Sequence, residues 1–139
     1  MGIIDRLFRR KPKKVYVEEE TKQNEITDFQ KVCTGDVEVY EALKDVMFLD
    51  PRKIKVSIKD AIANAKKLEK EGNNLRASVW YRIAGGLALY EGDVRKVKEF
   101  FGKYSKLTGK DLKILEIPEK AVKKAREYYE KYLKEKVWS

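Results

Sequence analysis

Between residues 57 and 109 the sequence alternates three times between a residue that starts a helix and a glycine that stops one. The start signals are Ser57, the pair Asn73 and Asn74, and Asp93, and the stop signals are Gly72, Gly92 and Gly109. Ser, Asn and Asp accept hydrogen bonds from the N–H groups of a first helical turn, and glycine closes a last turn. Connections this short make consecutive helices antiparallel neighbours. The pattern therefore predicts three packed helices in a row.

The apolar residues of these three segments recur at helical spacing. The first stripe is Ile58, Ala61, Ile62, Ala65 and Leu68. In the second segment we predict a broad buried face made of Leu75, Val79, Ile83 and Leu87, with Trp80, Ala84 and Ala88 beside it. The third stripe is Val97, Phe101, Tyr104 and Thr108, flanked by Val94, Phe100 and Leu107. Residues three and four apart share one side of a helix, so each segment has a side to bury.

Weaker signals on both sides of this region add further helices. Upstream, Ile26, Phe29 and Cys33 precede Gly35, and Asp36 caps a helix that contains Val37, Tyr40, Leu43 and Met47. Pro51 turns the chain, and Pro118 suits the first turn of a final helix that runs toward Lys136. No segment predicts a strand. The expected fold is all-α, with five or six helices as stacked antiparallel hairpins, in a right-handed stack or an irregular bundle.

Two adjacent glycines, Gly85 and Gly86, lie in the middle of the second predicted helix. Each costs about 1 kcal/mol there relative to alanine. The simplest compensation is the close approach of a neighbouring helix, which a missing side chain permits. We therefore predict tight helix packing at this point.

Residues 80–109 resemble a single tetratricopeptide repeat, in which an aromatic residue and a small pair precede a Gly-Asp turn and a second aromatic residue. With Gly92-Asp93 on that turn, Tyr81, Gly85 and Phe101 occupy the aromatic and small positions, whereas Val97, Tyr104 and Gly109 depart from the pattern. The resemblance implies a ligand-facing side at Val79, Arg82, Gly86, Leu89 and Tyr90. Arg82, Leu89 and Tyr90 are then the candidate protein-binding residues. The alternative is that Leu89 and Tyr90 pack beneath the adjacent helix.

The chain of 139 residues fits one domain with two short N-terminal extensions. We divide it into an amphipathic basic segment (1–14), an acidic linker (15–25) and a single helical domain (26–139). The first segment combines an apolar side with six cations, which are the candidate membrane- or anion-binding residues. They are Ile3, Ile4, Leu7 and Phe8, with Arg6, Arg9, Arg10, Lys11, Lys13 and Lys14. Such a segment can dock on protein, in cis or on a second copy, lie on an anionic membrane, or stay a disordered basic tail.

Several kinds of catalytic chemistry have no support in the sequence. There is no histidine, the only cysteine is Cys33, and no phosphate-binding loop, dinucleotide-binding or nucleophile-elbow motif occurs. Without a histidine to activate it, Cys33 is better explained as a buried small residue than as a nucleophile. We predict a protein that is not an enzyme and has no catalytic, metal-binding or cofactor-binding residues.

The expected function is that of a non-catalytic helical adaptor that contacts another protein or a second copy of this chain. The alternative is a peripheral protein that binds anionic membrane or nucleic acid through its basic N-terminus and C-terminal helix, and the net charge of +9 supports an anionic partner. Lysines interleave with Tyr128, Tyr129 and Tyr132, but these rings also suit the core, so nucleic acid is less favoured. The Lys- and Glu-rich composition is typical of thermophiles. The expected location is the cytoplasm or the inner membrane face.

Overall fold

The computed structural model describes residues 27–133 of the chain. Six α-helices follow one another in this range: α1 (Asp28–Val32), α2 (Val37–Leu43), α3 (Ile58–Lys70), α4 (Asn74–Glu91), α5 (Val94–Thr108) and α6 (Pro118–Tyr128). Two short 3-10 helices, Pro51–Lys53 and Lys113–Leu115, and a π-helical turn, Tyr129–Leu133, complete the helical content. No strand occurs within residues 27–133, so the predicted all-α fold is confirmed.

The predicted start and stop signals of the three central helices are at the ends of α3, α4 and α5. Ser57 Oγ accepts the Asp60 N–H at 3.1 Å, and Asp93 Oδ1 accepts the Lys96 N–H at 3.1 Å. Gly92 closes α4 with φ +78°, a left-handed conformation that costs other residues energy. The positions where these helices begin and end are therefore specified locally, by residues that satisfy or close the free backbone groups at helix ends.

Helix α4 is the centre of the described fold, because it packs against α3 on one side and α5 on the other. Helix α6 contacts α1, α2, α4 and α5, and so closes the core from the opposite side. Several large side chains of this core are fully buried. They include Leu43, Leu89, Phe101, Ile114 and Tyr129. Burial of such side chains is the main source of stability in a domain of this size.

The two glycines in the middle of α4 both face an aromatic ring. A Cβ added to Gly85 would lie 2.7 Å from Cζ of Phe101 in α5, as expected for close helix packing. A Cβ added to Gly86 would overlap the ring of Phe48, which belongs to the segment after α2 and not to a helix. Both glycines therefore have a packing role that offsets their cost in the helix.

Arg126 of α6 contacts the C-terminal end of α4. Its Nη1 donates to the backbone carbonyl oxygen of Tyr90 at 2.5 Å, and its side-chain methylenes lie over Gly92. A cation at the end of a helix also interacts favourably with the partial negative charge of the last carbonyl groups. This contact fixes α6 across the end of the α4–α5 hairpin.

Helix α6 is shorter than the predicted C-terminal helix. It ends at Tyr128 and continues as the π-helical turn to Leu133, and the predicted extension toward Lys136 lies outside the described residues. Tyr128 and Tyr129 are buried, with 7% and 2% of their surfaces exposed, so their rings are not available to stack on bases. Among the described residues, no helix has the length and apolar character needed to span a bilayer.

Candidate functional site

A cleft opens beside the N-terminal half of α4. Its volume is about 620 Å³, and its walls come from α4, the last turns of α5 and the segments that follow α2 and α5. The lining residues are Asp45, Val46, Arg82, Tyr104, Lys110, Asp111 and Leu112. We call it the Arg82 cleft. Two apolar side chains and several charged ones meet in it, a combination that suits a partner with both apolar and charged groups.

Hydrogen bonds to backbone carbonyls hold two walls of the Arg82 cleft in place. Nη2 of Arg82 donates to the carbonyl oxygen of Asp45 at 2.5 Å, which links α4 to the segment after α2. Oγ of Ser105 donates to the carbonyl oxygen of Lys110 at 2.5 Å and folds the chain back after α5. Arg82 stays exposed in this arrangement. Its guanidinium group has five N–H donors, so one such bond leaves others for a ligand.

Next to this cleft, α4 presents two large apolar side chains to solvent. Leu75 is 74% exposed and Val79 is 52% exposed. The prediction that both lie on the buried face of α4 is therefore wrong. Leu75, Val79 and Arg82 follow a spacing of four and three, so they lie on one side of the helix. We call these three residues the α4 face.

The buried side of α4 consists mainly of small residues. Ala77, Ala84 and Ala88 are fully buried, together with Gly85, whereas Ile83 and Leu87 are only half-buried. Small residues let α3 and α5 approach the axis of α4 closely, which leaves the larger aliphatic residues at the edges or outside. This explains why the apolar spacing predicted the wrong side of the helix.

The C-terminal half of the same side of α4 is covered. Phe48 lies over Gly86, and the ring of Tyr90 packs edge-on against the ring of Tyr129 with their centroids 5.1 Å apart. Tyr129 in turn donates a hydrogen bond to the carbonyl oxygen of Phe48 at 2.5 Å. We refer to Phe48 and Tyr129 as the cover. The cover does not extend to Arg82, Val79 and Leu75, which form the exposed α4 face.

Of the three predicted protein-binding residues, the structure places one on the surface. Arg82 is exposed and lines the cleft. Leu89 is 0% exposed, so its predicted contact with a partner is corrected to a core position. Tyr90 is half-buried against Tyr129. For Leu89 and Tyr90 the structure therefore has the alternative arrangement, packing against neighbouring elements.

The predicted membrane- or anion-binding residues of the N-terminal segment lie outside the described residues. This applies to all ten of them: Ile3, Ile4, Arg6, Leu7, Phe8, Arg9, Arg10, Lys11, Lys13 and Lys14. The acidic linker of residues 15–25 also lies outside that range. Both assignments remain predictions from the sequence.

Burial and hydrogen bonds explain the displaced pKa values of several titratable groups. Burial raises the pKa of the Cys33 thiol, which disfavours the thiolate. A hydrogen bond from Arg52 lowers the pKa of Asp50, and one from Lys44 lowers the pKa of Glu41. Within residues 27–133 no group of three or more His, Cys, Asp or Glu residues is placed to hold a metal ion.

Sequence reasoning missed most residues of the Arg82 cleft. Tyr104 is predicted in a core stripe and packs against the core, but it also lines the cleft. The sequence predicts no binding role for the other lining residues, which lie between the observed helices: Asp45, Val46, Lys110, Asp111 and Leu112. Their convergence depends on how two connections fold back onto α4. The one usable signal is Arg82, a cation between the apolar residues of the middle of α4.

No protein-family model, curated protein or solved structure matches this chain.

Proposed function

We propose that this chain is a non-catalytic protein–protein interaction module that binds its partner with the α4 face and the adjoining Arg82 cleft. The observation that carries this proposal is the exposure of Leu75 and Val79, 74% and 52%, one helical turn apart beside a cleft. Neighbouring large apolar side chains on the surface of a folded domain favour a binding site for another macromolecule.

The contrast within α4 supports this choice of site. On one side of the same helix, the cover protects the C-terminal half, and Leu75 and Val79 in the N-terminal half stay exposed. Full burial of a side chain of this size contributes about 1.5–3 kcal/mol, which is available to a partner that covers it. Two such residues supply the apolar centre that protein interfaces need.

Arg82 adds a polar anchor beside this apolar centre. Arginine is among the residues that contribute most to protein interfaces, because its planar group binds carboxylates with two parallel hydrogen bonds. Val46 and Leu112 provide apolar walls in the same cleft. The expected partner segment is therefore amphipathic, with apolar side chains for Leu75 and Val79 and a carboxylate for Arg82.

A matched pair of double variants tests the site. Leu75→Glu/Val79→Glu places two charges on the α4 face, and Val37→Glu/Leu49→Glu does so at the other large apolar residues that are exposed in the described range, 71% and 52%. Proteins captured from an extract of the source organism by wild type and by the Val37/Leu49 control should be lost with the Leu75/Val79 variant. The dissociation constant of the purified partner should then rise at least tenfold, about 1.4 kcal/mol. Equal retention by both variants would contradict the proposal.

A second copy of the chain is the other protein that can occupy this site. Sedimentation equilibrium of the wild type and of both double variants distinguishes the cases. A dimer that dissociates only in the Leu75/Val79 variant would identify self-association as the interaction. A monomer at all concentrations, together with partner capture, would identify a different protein.

A further inference from the structure

Helix α5 has an exposed basic side that the proposed protein-binding site does not use. The helix contains five basic residues and one acidic residue, Glu99, a net charge of +4. Arg95, Lys98 and Lys106 are all exposed and lie on one side of α5, with Gly102 between them and the exposed Glu99 at the edge of the same side. We call Arg95, Lys98, Gly102 and Lys106 the α5 face. None of its three cations forms a salt bridge within the described part of the chain.

Gly102 has no packing role of the kind that explains the two glycines of α4. Within residues 27–133, a Cβ added there would meet no atom within 4 Å outside its own helix, whereas Gly85 and Gly86 each face an aromatic ring. A glycine inside a helix lowers stability relative to alanine, and no contact among the described residues offsets that cost at Gly102. What the missing side chain provides is access to the helix backbone at the centre of the α5 face.

We propose that the α5 face binds the sugar–phosphate backbone of a nucleic acid, with Arg95, Lys98 and Lys106 on different phosphates and Gly102 at the point of closest approach. Lys98 and Lys106 are eight residues apart, about 12 Å along the helix axis. A nucleic acid strand carries one charge per roughly 3.4 Å of duplex axis, so these side chains reach different phosphates.

The composition of the α5 face selects this ligand over two others. The exposed large apolar residues of the described range are Val37, Leu49, Leu75 and Val79, and none of them lies on α5. A helix that lies on a membrane inserts an apolar side, and a protein interface needs an apolar centre and is depleted in lysine. Binding to phosphates requires no apolar surface, because charge and hydrogen bonding supply the affinity.

Fluorescence anisotropy of a labelled DNA duplex of about 20 base pairs, titrated with the full chain between about 50 and 200 mM salt, tests the site. We expect Lys98→Glu/Lys106→Glu to weaken binding at least tenfold. The salt slope, log affinity against log salt, should fall by about 2, close to 0.9 for each lost phosphate contact. Lys98→Gln/Lys106→Gln should give the same change in slope without adding acidic groups. The matched control is Lys120→Glu/Lys123→Glu, which reverses two exposed charges of α6 and should change affinity less than twofold.

Gly102→Gln separates the α5 face from a general attraction to positive charge. This change leaves the net charge unaltered and blocks close approach, so it should weaken binding several-fold while the melting temperature stays equal or rises. Unchanged affinity of this variant would overturn the role of Gly102. Equal losses from the α5 and α6 charge reversals would overturn the site. Binding of poly-glutamate in preference to DNA would overturn the choice of nucleic acid in favour of an acidic protein.

Discussion

The phenol of Tyr129 donates a hydrogen bond of 2.5 Å to the backbone carbonyl oxygen of Phe48, which lies 81 residues earlier in the chain. The ring of the same Phe48 covers Gly86, and the ring of Tyr129 packs against Tyr90. One hydrogen bond thus joins the two parts of the cover over the C-terminal half of α4. The exposed Leu75 and Val79 lie on the same helix, beyond the reach of this cover.

Tyr129→Phe tests the contribution of this hydrogen bond. The variant leaves the carbonyl group of Phe48 without its donor, so we expect the free energy of unfolding to fall by about 1 kcal/mol. Urea unfolding measures this loss, with an unchanged slope against urea if the fold is retained. Tyr132→Phe, at a half-buried tyrosine of the same turn, is the control and should change stability by less than about 0.5 kcal/mol. Equal effects of the two substitutions would contradict the assignment.

Gly85→Ala and Gly102→Ala are expected to have opposite effects, although both improve helix propensity. No atom of the described part of the chain outside α5 lies within 4 Å of a Cβ added at Gly102, so alanine should raise the free energy of unfolding by about 0.5–1 kcal/mol. At Gly85 the new Cβ would lie 2.7 Å from the fully buried ring of Phe101. Overpacking should therefore lower the free energy of unfolding by about 1–3 kcal/mol. Thermal and urea unfolding of both variants measure the two effects. Stabilisation by both would contradict the close packing of α4 and α5.

Two buried phenols predict a loss of stability at alkaline pH. Burial raises the pKa of Tyr81 and of Tyr129 well above the ordinary value of 10.0, and a hydrogen bond to Glu69 adds to the effect at Tyr81. The folded protein keeps these protons while the unfolded chain releases them. The contribution of these phenols to the free energy of unfolding is therefore complete below about pH 10. It decreases as pH rises above about 10, by up to about 1.4 kcal/mol per pH unit for each phenol.

The free energy of unfolding at pH 9 and pH 11 checks this prediction. Tyr81→Phe removes one of the two phenolic protons. Between pH 9 and pH 11, the free energy of unfolding of this variant should therefore fall by about 1 kcal/mol less than that of wild type. Its stability at pH 9 is the internal reference, since that value includes the lost hydrogen bond to Glu69. Identical pH dependence in the variant and wild type would show that Tyr81 titrates normally.

Arg82 is expected to matter for binding more than for folding. In Arg82→Gln the contact with the Asp45 carbonyl is lost at an exposed site, so stability should fall by less than about 1 kcal/mol. Loss of the guanidinium group should weaken partner binding about tenfold if it holds a carboxylate. Arg76→Gln, at an exposed arginine of the same helix, is the matched control for isothermal titration calorimetry. Equal affinities for the two variants would exclude Arg82 from the interface.

The sequence predicts the helices well because their ends are determined by local chemistry. Ser57 and Asp93 form their capping hydrogen bonds with residues only three positions away, and Gly92 needs only its own backbone freedom. The packing of Gly85 was also predictable, because a glycine inside a helix requires compensation. These features depend on short stretches of chain.

The exposed α4 face was only partly predictable, because apolar residues occur on nearly every side of α4. The resemblance to a repeat places Val79 and Arg82 outside, whereas the apolar spacing places Leu75 and Val79 inside. Spacing alone could not distinguish a buried side of alanines and glycine from an outer side with Leu75 and Val79. The resemblance to a repeat predicts that Leu89 and Tyr90 face a ligand, but Leu89 is buried in the core and Tyr90 packs against Tyr129. The Arg82 cleft depends on two connections whose paths no local signal specifies.

Site-directed photo-crosslinking tests the central claim, that the α4 face is where a protein partner binds. The crosslinking residue p-benzoylphenylalanine would replace Val79 or, as a matched exposed position, Val37, and each chain would be irradiated in an extract of the source organism. The predicted result is a discrete crosslinked protein from position 79 that is missing at position 37 and is reduced by Leu75→Glu. The same crosslinked products from both positions, or products from position 37 alone, would contradict the claim.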